Sequence, residues 1–209
     1  MNLQQRLEAA RLYVVSPDRD PGQVIALARA VLRGGADVLQ LRHKTLPRGL
    51  LLDLARYLRD LTAEAGALFI VNDYVDIALI AGADGVHLGP DDMSIESARK
   101  LAPLSFLIGA SASKPSAATA AVKAGADYIG CGATFSTPLK PDKNVIRPAG
   151  VAAVSAVVRV PVFAIGGIDE KNLRQLIAAG VHRVCVVRAT ADSTDPESAT
   201  RRLRAMLTA

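Results

Sequence analysis

The sequence predicts a (β/α)8 barrel, and three observations carry that prediction. A short signature recurs: Gly34-Gly35-Ala36-Asp37 precedes Val38-Leu39-Gln40-Leu41, Ala81-Gly82-Ala83-Asp84 precedes Gly85-Val86-His87-Leu88, and Ala124-Gly125-Ala126-Asp127 precedes Tyr128-Ile129-Gly130-Cys131. Ala179-Gly180-Val181-His182, ahead of Arg183 to Val187, is a weaker fourth copy. Each copy combines a helix end, a glycine suited to the left-handed C-terminal cap and an apolar run. One further apolar run lies ahead of or between the copies: Leu12 to Val15, Ala67 to Val71, Ser105 to Ile108 and Val160 to Ile165, making eight strands. Nearly all eight are apolar throughout, as strands covered on both faces must be, so a closed parallel sheet ringed by helices accounts for them.

The elements follow in order. After a short amphipathic start, the first strand Leu12-Tyr13-Val14-Val15 is broken by Ser16-Pro17-Asp18 and the Pro21-Gly22 turn. Helices are expected over Gln23 to Arg33, Pro47 to Glu64, Tyr74 to Ile80, Ser94 to Leu101, Lys114 to Lys123, Pro148 to Val158, Asp169 to Ala178 and Pro196 to Leu207. A doubly wound open sheet would want a glycine-rich turn after the first strand, and Ser16-Pro17-Asp18-Arg19 offers none. No linker of Gly, Ser or Pro divides the chain, so residues 1–209 are expected to form one barrel domain.

Composition excludes several function classes. With 209 residues, half of them hydrophobic, the chain can bury a full core. No apolar run approaches the roughly 18 to 20 residues of a membrane helix, and Met1 to Arg6 lacks a signal-peptide layout, so a cytoplasmic protein away from membranes is expected. The net charge of +5 admits polyanions, but 4% aromatics leave little for bases to stack on, which turns the expectation from nucleic acid to small anionic substrates. Arg201-Arg202-Leu203-Arg204 reads as the solvated face of a last helix. Cys131 and Cys185 lack metal-ligand spacing and read as reduced core thiols. The sequence leaves a homo-oligomer open.

Reactive side chains of a parallel barrel stand where the strands stop. There the chain places Gln40-Leu41-Arg42-His43-Lys44, Asn72-Asp73, His87 through Asp92, Gly109-Ala110-Ser111, Thr137-Pro138-Leu139-Lys140, Gly166-Gly167 and Val187-Arg188. The opposite strand ends carry mostly Gly, Ala and Pro, so the polar chemistry is expected on one rim. Alternation puts Gln40, Arg42 and Lys44 on one side of the second strand, where cationic donors suit phosphate oxygens, with Lys140 and Lys143 reaching in from the long segment Gly132 to Arg147. Asp73 and Asp92 offer hard oxygen ligands to a magnesium ion whose shell substrate phosphates would complete; Asp91 is not included. Ser111 is a phosphate donor or a helix cap. His87, alone in an apolar strand, reads as a hydrogen-bonded core residue. Gly166-Gly167 after the seventh strand offers backbone N–H groups where barrels bind a single phosphate. A diphosphate site near strands two to four and a monophosphate site at strands seven and eight suggest a transferase.

These residues resemble the thiamine phosphate synthases, also called thiamine-phosphate pyrophosphorylases. The resemblance runs through Leu12 to Val15, Gln40 to Lys44, Val71-Asn72-Asp73 with Asp76, Gly85 to Gly89 with Asp92, Ile108 to Ser111, Gly125 to Gly130, Thr137 with Lys140, and Ile165 to Ile168, in the family's order over nearly the whole chain. It implies a barrel that joins 4-amino-2-methyl-5-hydroxymethylpyrimidine diphosphate to 4-methyl-5-hydroxyethylthiazole phosphate, with Mg2+, through a pyrimidine-stabilised carbocation. Carried over, Gln40, Arg42, Lys44, Asn72, Ser111 and Lys140 would contact the pyrimidine or its diphosphate, with Arg42, Ser111 and Lys140 closest to the chemistry. Asp73 and Asp92 would hold magnesium, and Thr137, Gly167 and the backbone at Val187 and Arg188 would receive the thiazole phosphate.

The chain departs from the family at four places: Gly132-Ala133 replaces the usual Gly-Pro, Leu139 replaces a threonine, Arg188 a serine and Pro90 a glutamine. Two rival readings use the same barrel. A thiazole tautomerase-like isomerase tends to lose the later metal-binding acid and to carry a histidine in the loop after strand six, whereas here Asp92 is kept and Ala133 stands in that loop. A non-catalytic phosphate-binding barrel draws support only from Leu139 and Arg188.

Overall fold

Eight strands close into a parallel barrel in sequence order in a computed structural model that describes residues 1–136 and 144–208. They are β1 (Leu12–Val15), β2 (Val38–Leu41), β3 (Leu68–Asn72), β4 (Gly85–Leu88), β5 (Leu107–Ser111), β6 (Tyr128–Cys131), β7 (Val162–Ile165) and β8 (Val184–Val186). Around them run α1 (Leu3–Ala9), α2 (Pro21–Arg33), α3 (Arg48–Ala65), α4 (Val75–Ile80), α5 (Ile95–Leu101), α6 (Pro115–Lys123), α7 (Arg147–Ser155), α8 (Leu173–Ala178), α9 (Arg188–Ala191) and α10 (Pro196–Thr208). All eight expected strands are present. The fifth runs on through Ser111 because Ala110 pairs with Leu88 and Ser111 with Gly130. The eighth helix starts later than Asp169 because Asp169 and Asn172 hold each other in a turn, each side-chain oxygen accepting from the other's backbone N–H.

The period of two along each strand separates two cores. Outward residues such as Val14, Leu39, Phe69, Val86, Ile108 and Ala164 meet the helices, whereas Tyr13, Val38, Ile70, Leu107, Tyr128 and Phe163 fill the barrel. Helix α1, capped by a reciprocal Asn2–Gln5 box, inserts fully buried Leu7 into that inner core. Burial of a side chain this size contributes about 2 kcal/mol. Cys131 packs outward and Cys185 inward, both as free buried thiols, and burial pushes the Cys131 thiol up to about 11. No helix among the described residues is long and apolar enough to cross a membrane.

The expectation that polar chemistry sits on one rim needs correction. The aspartates of the recurring signature lie at the N-terminal strand ends and tie neighbouring strands together. Asp37 Oδ2 accepts the Arg11 and Leu12 N–H groups and an Arg204 N–H, all at 2.8 Å. Asp84 Oδ2 takes the Phe69 N–H at 2.8 Å, and Asp127 Oδ2 takes the Ile108 N–H at 2.7 Å with Arg99 at 2.6 Å. Each aspartate also donates its own N–H to the carbonyl of Leu12, Phe69 or Ile108 respectively. Asp127→Ala therefore strands a buried N–H and takes the carboxylate partner from Arg99, which keeps the Phe106 and Gly125 carbonyls, and is expected to cost about 2 kcal/mol, a fall in melting temperature of roughly 4–8 °C. Its site is at the far end of the barrel, so turnover should stay within about twofold of wild type. A large fall in turnover at unchanged melting temperature would assign Asp127 to the chemistry instead.

Candidate active site

A cavity of about 820 Å³ opens at the C-terminal ends of the strands. Its floor is made by rings that sequence reasoning passed over. Tyr13 and Tyr128 both meet the edge of Phe163, with centroids 5.4 and 5.9 Å away and rings 76° and 86° apart. Glycines on the inward face make room for them, the usual meaning of glycine inside a strand. A Cβ on Gly109 would lie 2.0 Å from the Tyr128 ring, and one on Gly130 would lie 3.0 Å from His87. A hydrogen-bonded chain crosses this floor. Gln40 Nε2 reaches the Tyr13 hydroxyl at 2.7 Å, the two tyrosine hydroxyls are 2.9 Å apart, His87 Nδ1 is 3.2 Å from Tyr128, and His87 Nε2 is 3.0 Å from Ser111 Oγ. His87 is therefore part of the cavity wall as well as a hydrogen-bonded strand residue.

Above the floor, Gln40 and Arg42 line the same wall, as alternation along the second strand requires. Beyond β2 the chain leaves the strand. The loop after β1 supplies Asp18, which takes an Arg42 N–H at 2.9 Å through Oδ2 and the Lys44 backbone N–H through Oδ1. Lys44 then extends its ammonium to Asp73. Asp18 was invisible as a site residue because its partners are 24 and 26 positions along the chain.

Asp73 follows β3 in a left-handed backbone, φ 65°, which aspartate tolerates better than most residues. Its N–H donates to His87 O, so the turn is fixed to β4. Asp92 folds back to accept the Gly89 N–H at 2.7 Å, and the two carboxylates face each other. Burial holds the Asp73 carboxyl above its ordinary value; the Lys44 ammonium pulls it down and the Asp92 carboxylate pushes it up again. Asn72, Ser111 and Pro90 line the cavity nearby. Asp76 pairs with Arg48, whose guanidinium lies 4.2 Å over the Tyr74 ring.

Across the mouth, Gly167, Val187 and Arg188 line the cavity where β7 and β8 end. Gly167 has φ 65°, and a Cβ there would lie 2.5 Å from Ser136 O, so this glycine lets the loop after β6 pack on the end of β7. Four-residue α9 directly follows β8, too short for any periodicity to reveal it. Arg188 Nε donates to Asp192 at 2.8 Å, and Asp192 also takes Arg19 at 2.7 Å, which ties the loop after β1 to α9. Thr137, Leu139, Lys140 and Lys143 lie outside the described residues.

Polar side chains gathered at the C-terminal mouth of a closed (β/α)8 barrel make this chain a barrel enzyme for small molecules. It belongs to the thiamine monophosphate synthase family, whose pattern it matches over residues 12–190. It is 42% identical over 207 residues to a thiamine-phosphate synthase of Pyrococcus horikoshii, covering 99% of this chain and 98% of that one. To the thiamine-phosphate synthase of Gloeobacter violaceus it is 46% identical over 196 residues, 93% of this chain but only 57% of that longer protein. The solved thiamine phosphate pyrophosphorylase of Pyrococcus furiosus superposes with a TM-score of 0.88 at 38% identity, covering 99% of this chain and 98% of that one.

Proposed function

We propose that this chain is a thiamine phosphate synthase, a transferase that condenses 4-amino-2-methyl-5-hydroxymethylpyrimidine diphosphate with 4-methyl-5-hydroxyethylthiazole phosphate. The observation that carries this reading is the convergence of Gln40, Arg42, Asn72 and Ser111 on one cavity beside the facing pair Asp73 and Asp92, in a chain of this family. The donor set suits magnesium. Two hard carboxylates lie close together, and magnesium is held by one or two carboxylates when phosphate oxygens and water complete its shell. Bound there, magnesium would supply charge neutralisation to the diphosphate.

In this reading the C–O bond breaks first and its electron pair leaves on the diphosphate. The lone pair of the thiazole nitrogen then forms the new C–N bond, and no proton is gained or lost in the sum. The protein's part is to hold the two substrates in line and to stabilise charge as it develops. Arg42, braced by Asp18, and Ser111 would donate to the diphosphate, joined by Lys44 and Lys140. Gln40 and Asn72 would hold the pyrimidine. Gly167 and the backbone at Val187 and Arg188, with Thr137, would receive the thiazole phosphate, an assignment supported by their place at the ends of β7 and β8.

Purified protein given both substrates is expected to form thiamine phosphate and diphosphate with magnesium and to stop in excess chelator. No product with magnesium would remove the reading; equal rates in chelator would remove the metal. Asp18→Ala frees the Arg42 guanidinium, so the KM for the pyrimidine diphosphate is expected to rise about tenfold with a smaller fall in kcat. A loss confined to melting temperature would make Asp18 a fold residue only.

A further inference from the structure

The chain of hydrogen bonds across the barrel floor contains more than packing requires. It has four links, from Gln40 to Tyr13, Tyr13 to Tyr128, Tyr128 to His87 and His87 to Ser111, at 2.7, 2.9, 3.2 and 3.0 Å. Each phenol carries one proton, and a neutral imidazole carries one. Burial pushes both phenols well above their ordinary range, so each keeps that proton. With His87 neutral, the three interior protons cannot fill the four links. One terminal residue, and only one, must donate inward.

The two ends are therefore opposite in what they offer the cavity. With the Gln40 amide N–H donating inward, its carbonyl oxygen is left as an acceptor, His87 is protonated on Nε2, and the Ser111 hydroxyl is free to donate into the cavity. With Ser111 donating inward, His87 is protonated on Nδ1, Gln40 turns its carbonyl to Tyr13 and its NH2 to the cavity, and Ser111 presents only lone pairs. An aminopyrimidine diphosphate offers a donor at its ring and an acceptor at its phosphates. It fits the first arrangement at both ends.

We propose that Tyr13, Tyr128 and His87 are positioning residues that couple recognition of the pyrimidine 4-amino group at Gln40 to the donor state of the Ser111 hydroxyl facing the diphosphate. This rests on the function proposed above. A 4-oxo pyrimidine diphosphate puts an acceptor where the amino compound has its 4-amino donor, and so at that position mismatches the arrangement that frees the Ser111 hydroxyl. The coupling thus makes one floor select the amino substrate, and selection depends on hydroxyls that touch neither substrate.

The test is equilibrium binding of the 4-amino and 4-oxo pyrimidine diphosphates, with magnesium, to wild type, Tyr128→Phe, Tyr13→Phe and the double variant. Wild type should prefer the amino compound by about a hundredfold or more, as sites built to hydrogen-bond a substrate group do. Either single variant should reduce that preference at least tenfold while binding inorganic diphosphate as wild type does. The double variant should lose little more than one single, because both substitutions break the same chain. In nitrogen NMR of the complex with the amino compound, His87 should carry its proton on Nε2 in wild type and lose that uniformity in Tyr128→Phe. Should one variant fail to fold, the other carries the same comparison. A preference unchanged within threefold in a folded variant would overturn the proposal. Wild type that forms no thiamine phosphate and binds neither compound would overturn the function as well, and the two failures are told apart by the wild-type assay.

Discussion

Asp92→Asn is expected to lower turnover about a thousandfold while the metal-free protein melts higher than wild type. The first effect follows if the pair holds magnesium, since a Lewis acid at a departing diphosphate is worth several kcal/mol. The second follows from the apo arrangement. Burial and then the facing Asp92 carboxylate hold Asp73 above its ordinary value of 3.8, against the pull of Lys44. The folded state thus binds this proton more tightly than the unfolded chain, so ionised Asp73 costs stability. That cost is absent below about pH 3.8, grows as pH rises toward the raised value, and is complete above it. Removing one carboxylate relieves part of the cost, so a gain of roughly 2–4 °C should appear at neutral pH and vanish in acid. The carboxamide oxygen can still accept the Gly89 N–H that Asp92 accepts now. Thermal scans from pH 3.5 to 8 with and without magnesium, beside steady-state rates, check both parts. Turnover within tenfold of wild type would remove the metal role, and a loss of ten degrees would make Asp92 structural.

Gly109→Ala should cost at least about 3 kcal/mol, the high end for overpacking a core. The new methyl would stand 2.0 Å from the Tyr128 ring, which is buried between Tyr13, Phe163 and His87 and has nowhere to retreat. A companion Tyr128→Leu should restore much of the stability to Gly109→Ala, because the clash is with the distal ring atoms, yet should not restore activity. Denaturant unfolding of the single and double variants reads this directly. A single variant as stable as wild type would mean that the floor is not packed as described.

The barrel was legible because its evidence is local: a capping glycine and an apolar run can be recognised without knowing what they pack against. The place of Gln40, Arg42, Asn72 and Ser111 at the cavity was legible for the same reason, as polar residues ending apolar strands. The floor was not. Tyr13 and Tyr128 are 115 residues apart, and each alone is an ordinary strand aromatic. Only closure of the sheet, with Gly109 in register with Tyr128 and Asn72 with His87, makes them neighbours. A lone histidine in an apolar strand, such as His87, gives no sign of its partners. The aspartates of the repeat mark a helix-to-strand signature in the sequence, and their carboxylates serve the adjacent strand. Asp18 escaped because a loop carboxylate reveals its guanidinium only once β1 and β2 lie side by side.

Those aspartates divide the barrel unequally. Asp37, Asp84 and Asp127 fasten β1 to β2, β3 to β4 and β5 to β6, but the fourth signature has His182 in that place, and β7 pairs with β8 through Ala164–Val184 and Ile165–Cys185. Taken two strands at a time, the wall is thus three clamped pairs and one pair, β7 with β8, that lacks the clamp. This pair runs up to Gly167, Val187 and Arg188, four strands round the barrel from the ends of β3 and β4. The clamped pairs therefore stand under Gln40, Arg42 and Asn72, and the unclamped pair under Gly167, Val187 and Arg188.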